Sequence, residues 1–184
     1  MDIEGKRVPF GTDILFICEE EPELVAAAEI CEDLWVTLPP SVLHAQAGAN
    51  LIVNLSASNE MVGKDSYRRD LVSGQSARLV CGYVYANAGE GESTQDLVFG
   101  GQNMIAENGV ILAEGKRFHN GIVYSEIDVQ RLNDERRRLI LISRLTTVIT
   151  LSVLPSECGR DKADQKIFAV SFRTFTKRRK GYAL

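Results

Sequence analysis

The chain has 184 residues, 45% of them apolar and 25% charged, with a formal net charge of −4. That balance suits one globular domain with a sizeable core, argues against disorder across residues 1 to 138, and disfavours nucleic acid as the main partner. No secretory pattern opens the chain, which makes the cytoplasm the default expectation, and Cys18, Cys31, Cys81 and Cys158 show no paired metal-ligand spacing. His44 and His119 have no acidic or cysteine companion at ligand spacing, so a zinc site is not expected.

Near the start, Glu4 and Lys6 lie in a polar stretch without a strand pattern and read as solvated hairpin charges. The run Leu24-Val25-Ala26-Ala27-Ala28-Glu29-Ile30 is apolar and ends at Cys31, between Ile30 and Glu32. A buried strand stopping there puts a thiol at the carboxyl edge of a sheet, where reacting groups are commonly held. The competing reading is a core cysteine behaving as a small hydrophobe, as expected for Cys18 and Cys81 in their apolar runs.

Pro39-Pro40-Ser41 opens a helix from Val42 to Ala47 that Gly48 closes, and Asn50 to Ser56 reads as a buried strand with the polar end Ser56-Ala57-Ser58-Asn59. A second helix, about Ser66 to Leu79, places Tyr67, Leu71, Val72, Ala77 and Leu79 inward and Arg68, Arg69, Asp70 and Arg78 toward solvent. Tyr83 to Ala88 is the next strand and runs into the Gly-rich segment Gly89 to Thr94. Asn108-Gly109, between Gln102–Ala106 and Val110–Ala113, is a tight hairpin signal. Gly121 to Asp128 reads as a further strand and Val129 to Arg138 as a charged, exposed helix. The sum is an α/β domain with a mixed sheet.

Three separated segments carry a family resemblance: Glu29-Ile30-Cys31-Glu32-Asp33-Leu34-Trp35, Asn54-Leu55-Ser56-Ala57-Ser58, and Tyr83-Val84-Tyr85-Ala86-Asn87-Ala88-Gly89-Glu90-Gly91-Glu92-Ser93-Thr94. In this order and at these spacings they resemble the carbon–nitrogen hydrolase (nitrilase-like) glutaminase domain of glutamine-dependent NAD synthetases, across residues 1 to about 138. The resemblance implies the second half of a four-layer α-β-β-α sandwich, supplying about half of each sheet.

It also implies chemistry. In that family a glutamate, a lysine and a cysteine hydrolyse the side-chain amide of glutamine through a thioester. Cys31 matches the nucleophile, and the backbone N–H of Glu32 matches an oxyanion donor. Ser58 matches a residue at the amino-acid end of glutamine, Lys64 a basic residue, often arginine, that meets the substrate carboxylate, and Trp35 an apolar or aromatic pocket position. On spacing alone Ser58 is equally a turn-capping hydroxyl and Lys64 a solvated charge. The family's glutamate and lysine come from sequence well upstream of the nucleophile strand, and only thirty residues precede Cys31 here. The chain alone is therefore expected to be inactive.

ATP, magnesium and deamido-NAD would belong to a synthetase domain that this chain does not contain. Its only Gly-rich loop, Gly89 to Ser93, carries Glu90 and Glu92, which would repel a phosphate, so no cofactor site is expected. Residues 139 to 184 remain unassigned: Leu139 to Leu154 is apolar but too short to span a membrane, and a basic tail follows, more readily solvated than bound to nucleic acid. A frameshifted or truncated gene end explains this region equally well. Glutamine and either a second copy or a missing-half partner are the expected binding partners. The alternative is a non-catalytic remnant or interaction module joining an intact synthetase oligomer. An amidase acting on another amide is disfavoured by the Ser58 and Tyr83–Thr94 segments.

Overall fold

The computed structural model describes residues 1–3, 5–7, 9–89, 91–93, 96–139 and 152–155. Its elements are β1 (Asp2–Ile3), β2 (Lys6–Arg7), β3 (Ile14–Ile17), β4 (Val25–Ile30), a 3-10 turn (Cys31–Trp35), α1 (Pro40–Gln46), β5 (Leu51–Ser56), α2 (Lys64–Leu79), β6 (Gly82–Asn87), β7 (Met104–Glu107), β8 (Val110–Glu114), α3 (Val129–Arg138) and β9 (Ser152–Pro155). Seven strands form one mixed sheet in the order β8-β7-β6-β5-β4-β3-β9, and β1 pairs with β2 in a separate hairpin. The fold class is the expected one. The described strands lie in this one sheet and the small hairpin, however, rather than being shared between the two sheets of a sandwich.

Strands β4, β5 and β6 run parallel because α1 and α2 make the crossovers between them. Register then sorts the side chains. Ala27, Ile52, Tyr83 and Ala106 form one cross-sheet row and Glu29, Asn54, Tyr85 and Met104 the next. With the two helices, the apolar members of these rows make the main core, together with Val72, Leu79, Cys81 and Leu34. Asn108 and Gly109 both have positive φ (44° and 87°), as the tight turn between β7 and β8 requires.

On the opposite face, the C-terminal ends of β4 and β5 are uncovered: Ile30 is 65% and Leu55 59% exposed. The other end of this face is closed by Leu24, Ile127 and Val129 against Leu51. Here one expected element fails. Residues 121–128 form no strand. Their alternation is real, with Val123, Ser125 and Ile127 half-buried, but among the described residues the segment pairs with no strand, and it lays Ile127 on the sheet. Gly82 makes room for it, since a Cβ there would lie 2.8 Å from Ile127 Cδ1.

Helix α3 is half-buried rather than exposed: Val129, Leu132 and Arg136 face inward. Arg136 donates to Leu79 O at 3.0 Å and Ala49 O at 2.7 Å, satisfying carbonyls at the end of α2 and before β5. Burial lowers its pKa.

The inward face of α2 is also corrected. Arg68, Val72, Gln75, Ser76 and Leu79 are buried, while Tyr67 and Ala77 are exposed. Arg68 was expected toward solvent; buried partners for its guanidinium reverse that. Cys18 is half-buried rather than core, and Cys81 is fully buried. Lys6 lies on the short hairpin, whereas Glu4, Glu90, Thr94, Cys158 and the basic tail lie outside the described residues. Among the described residues no helix is long and apolar enough to cross a membrane.

Candidate active site

The strand β4 ends one residue before Cys31, and Cys31 itself has φ +47°, the left-handed region that non-glycine residues seldom occupy. Such strain persists only where surrounding contacts over-determine it. Two contacts do so here. Asp33 Oδ2 accepts the Ile30 N–H at 2.7 Å, and Asn54 Oδ1 accepts the Cys31 N–H at 3.1 Å. The chain therefore turns sharply from strand into the 3-10 turn, leaving Cys31 half-buried and Glu32 exposed. As a first-turn residue, Glu32 presents an N–H that the turn's own ladder does not use.

Beyond the end of β5 the chain loops toward α2. Ser58 is held at its backbone by Asn87, which accepts the Ser58 N–H at 2.8 Å and donates to Ser58 O at 3.2 Å. Its hydroxyl accepts from Arg68 Nη2 at 3.3 Å. Lys64, the first residue of α2, donates to Asn59 Oδ1 at 2.6 Å and sits 5.4 Å over the Trp35 ring. Tyr67 completes the stack, 5.4 Å from Trp35 between ring centroids. Trp35 and Lys64 are thus in direct contact, and Ser58 joins Lys64 through the short 58–64 loop.

Charge links this group to the thiol. Burial, then the like charge of Arg68, lower the Lys64 pKa below 10.5; Glu60 and a Cys31 thiolate pull the other way. Desolvation likewise raises the Tyr85 pKa, and Tyr85 exchanges a 2.6 Å hydrogen bond with Ser56 Oγ on the neighbouring strand.

Several functional candidates escaped the sequence reading. Asn54 holds the Cys31 backbone. Arg68 is completely buried and gathers Glu60 (2.9 Å), Gln102, Ser58 Oγ and Asn59 O (3.2 Å) into one network. Glu60 is wedged so tightly that a Cβ on Gly100 would lie 2.5 Å from its Oε1. A signal was present: Arg68 falls on the same helical stripe as Val72 and Leu79. Among the described residues no three His, Cys, Asp or Glu side chains are grouped to hold a metal ion.

A family profile described as carbon-nitrogen hydrolase matches residues 4–137. The glutamine-dependent NAD(+) synthetase of Mycobacterium tuberculosis (strain H37Rv) is 48% identical over 139 residues, covering 74% of this chain and 20% of that protein. The chain thus spans about a fifth of the length of the curated relatives it matches. Among solved structures, the glutamine-dependent NAD+ synthetase of Acinetobacter baumannii, in complex with ADP, is 26% identical with a TM-score of 0.50, covering 55% of this chain and 19% of that one. Saccharomyces cerevisiae Nit3, of the nitrilase superfamily, gives a TM-score of 0.59 at 18% identity, covering 73% and 47%, a likeness of fold.

Proposed function

The chain belongs to the carbon-nitrogen hydrolase family, and we propose that it is the glutamine-hydrolysing portion of a glutamine-dependent NAD synthetase. The observation that carries this reading is the strained Cys31 elbow beside the Trp35–Lys64 pair and the Ser58 loop. The 48% identity to synthetases over 139 residues supports the choice of glutamine over other amides. Residues 1–138 form part of the glutaminase unit in this reading, and 139–184 stay unassigned, although β9 joins the sheet beside β3.

Each residue then has a task. Lys64 faces the substrate carboxylate as a point charge, without the bidentate fork an arginine would offer. Ser58 meets the amino-acid end, and Trp35 walls the pocket. The Cys31 thiolate attacks the side-chain amide carbon, and the tetrahedral oxyanion forms against the Glu32 N–H. The amide nitrogen takes up the proton that the thiol gave up, and collapse then expels it as ammonia and leaves a thioester; water cleaves that to glutamate and regenerates the thiol.

This reading assigns the family's glutamate base and lysine to no residue of this chain, so the chain alone binds glutamine without turning it over. The uncovered face at Ile30 and Leu55 supports a need for a second surface, either another copy or the remainder of a hydrolase domain. The test is ammonia release from glutamine, with Cys31→Ala as control. The expected result is no release from the folded chain alone. Release abolished by Cys31→Ala would move the base and lysine roles onto residues present here.

A further inference from the structure

A chain of buried hydrogen bonds runs behind Cys31. Asn54, 1% exposed, accepts the Cys31 N–H on Oδ1 at 3.1 Å and turns Nδ2 to Cys31 O at 3.5 Å and to the Tyr83 hydroxyl at 3.2 Å. Tyr83 donates to Glu29 Oε1, and Glu29 Oε2 accepts the Ser41 N–H at 3.0 Å. Glu29, Ser41, Asn54 and Tyr83 are all buried.

The proton directions in this chain are determined. A tyrosine hydroxyl has one proton, and a carboxylate is acceptor-only, so the Tyr83 proton goes to Glu29. Burial and the adjacent Glu29 charge raise the Tyr83 pKa, keeping that proton in place. The Tyr83 oxygen is then left to accept from Asn54, which fixes the amide with Nδ2 toward Tyr83 and Oδ1 toward Cys31. The Asn54 acceptor is thereby committed to the one N–H at the positive-φ residue.

We infer that Asn54 is a positioning residue for Cys31, oriented by Tyr83 and Glu29, which locks the turn that places the thiol and the Glu32 N–H relative to Ser58 and Lys64. The inference rests on the reading of Cys31 as the nucleophile of a glutamine site. It differs from that reading in needing no turnover to be seen.

Two measurements on the full chain test it: amide hydrogen exchange at Cys31, and the glutamine concentration that half-protects Cys31 from iodoacetamide, with the labelled cysteine located by peptide mass mapping. In Asn54→Ala the Cys31 amide is expected to exchange about tenfold faster or more, and the half-protecting concentration to rise about tenfold. Amides elsewhere in β5 keep their wild-type rates. Tyr83→Phe removes the orienting hydroxyl and shifts both readouts the same way by less, so it carries the test if Asn54→Ala does not fold.

Unchanged exchange and unchanged half-protection in the folded variants would overturn the inference. Faster exchange with unchanged half-protection would also overturn it, reducing Asn54 to a structural contact. Failure of glutamine to protect the wild-type chain would instead remove the glutamine reading and, with it, the positioning role, while exchange still decides whether Asn54 holds the Cys31 backbone.

Discussion

Arg68 Nη2 donates to Ser58 Oγ at 3.3 Å from a side chain with no exposure to water. The same guanidinium holds Glu60 at 2.9 Å, so one buried cation ties the Ser58 loop to α2 and to the carboxylate beside Gly100. Replacing it leaves Glu60, among the described residues, only the partly exposed Arg117, 3.6 Å away. Arg68→Met is expected to cost about 3 kcal/mol, and adding Glu60→Gln to recover part of that loss, because much of the penalty lies in the weakly paired charge. Urea unfolding of both variants measures it; additive losses would show that the pair is not coupled.

Lys64 gives a pH signature. Its pKa lies below 10.5, so its positive charge is present at low pH and is lost as pH rises through that depressed value. Glutamine protection of Cys31 should therefore weaken in wild type at a lower pH than in Lys64→Arg, whose guanidinium stays charged. Comparing the two at each pH cancels the titration of the thiol and of the ligand. Identical profiles would remove Lys64 from carboxylate binding.

The buried thiol of Cys81 supplies an internal clock for opening. Burial pushes its pKa up to about 12 from 9.0. Between those values the unfolded state gives up a proton that the folded state keeps, so this group's contribution to stability falls as pH rises above 9.0. Cys81→Ala should thus flatten the loss of stability between about pH 9 and about pH 12, measured by urea midpoints. Iodoacetamide should reach Cys18 and Cys31 in the native chain well before Cys81.

Much of this was legible in the sequence, for identifiable reasons. The apolar run ending at Cys31 and the Asn108-Gly109 turn are local signals, and both elements form where expected. The helical stripe shared with Val72 and Leu79 places Arg68 inward, but the partners that let a charge sit there, Glu60 and Gln102, are not legible, the latter lying 34 residues away in sequence. Residues 121–128 alternate like a strand, yet alternation reports only which side chains turn inward, and here the cover is a sheet face rather than an edge. The short β3 strand, Ile14–Ile17, gave too brief a pattern to register, although it pairs antiparallel with β4.

Arg136 offers a stability test remote from the thiol. Its bonds to Leu79 O and Ala49 O pin α3 across the base of the sheet. Arg136→Met keeps much of the packing but leaves those carbonyls without this donor, and should cost about 1–3 kcal/mol by thermal or urea unfolding. Glutamine protection of Cys31 in the folded variant should not change.

A glutamine site at Cys31 is tested most directly by glutamine protection of that thiol in the wild-type chain, read by iodoacetamide labelling and peptide mass mapping, with asparagine as the control ligand. Glutamine is expected to slow carboxyamidomethylation of Cys31 but not of Cys18, and asparagine to protect less. Labelling of Cys31 at one rate with and without saturating glutamine would contradict such a site.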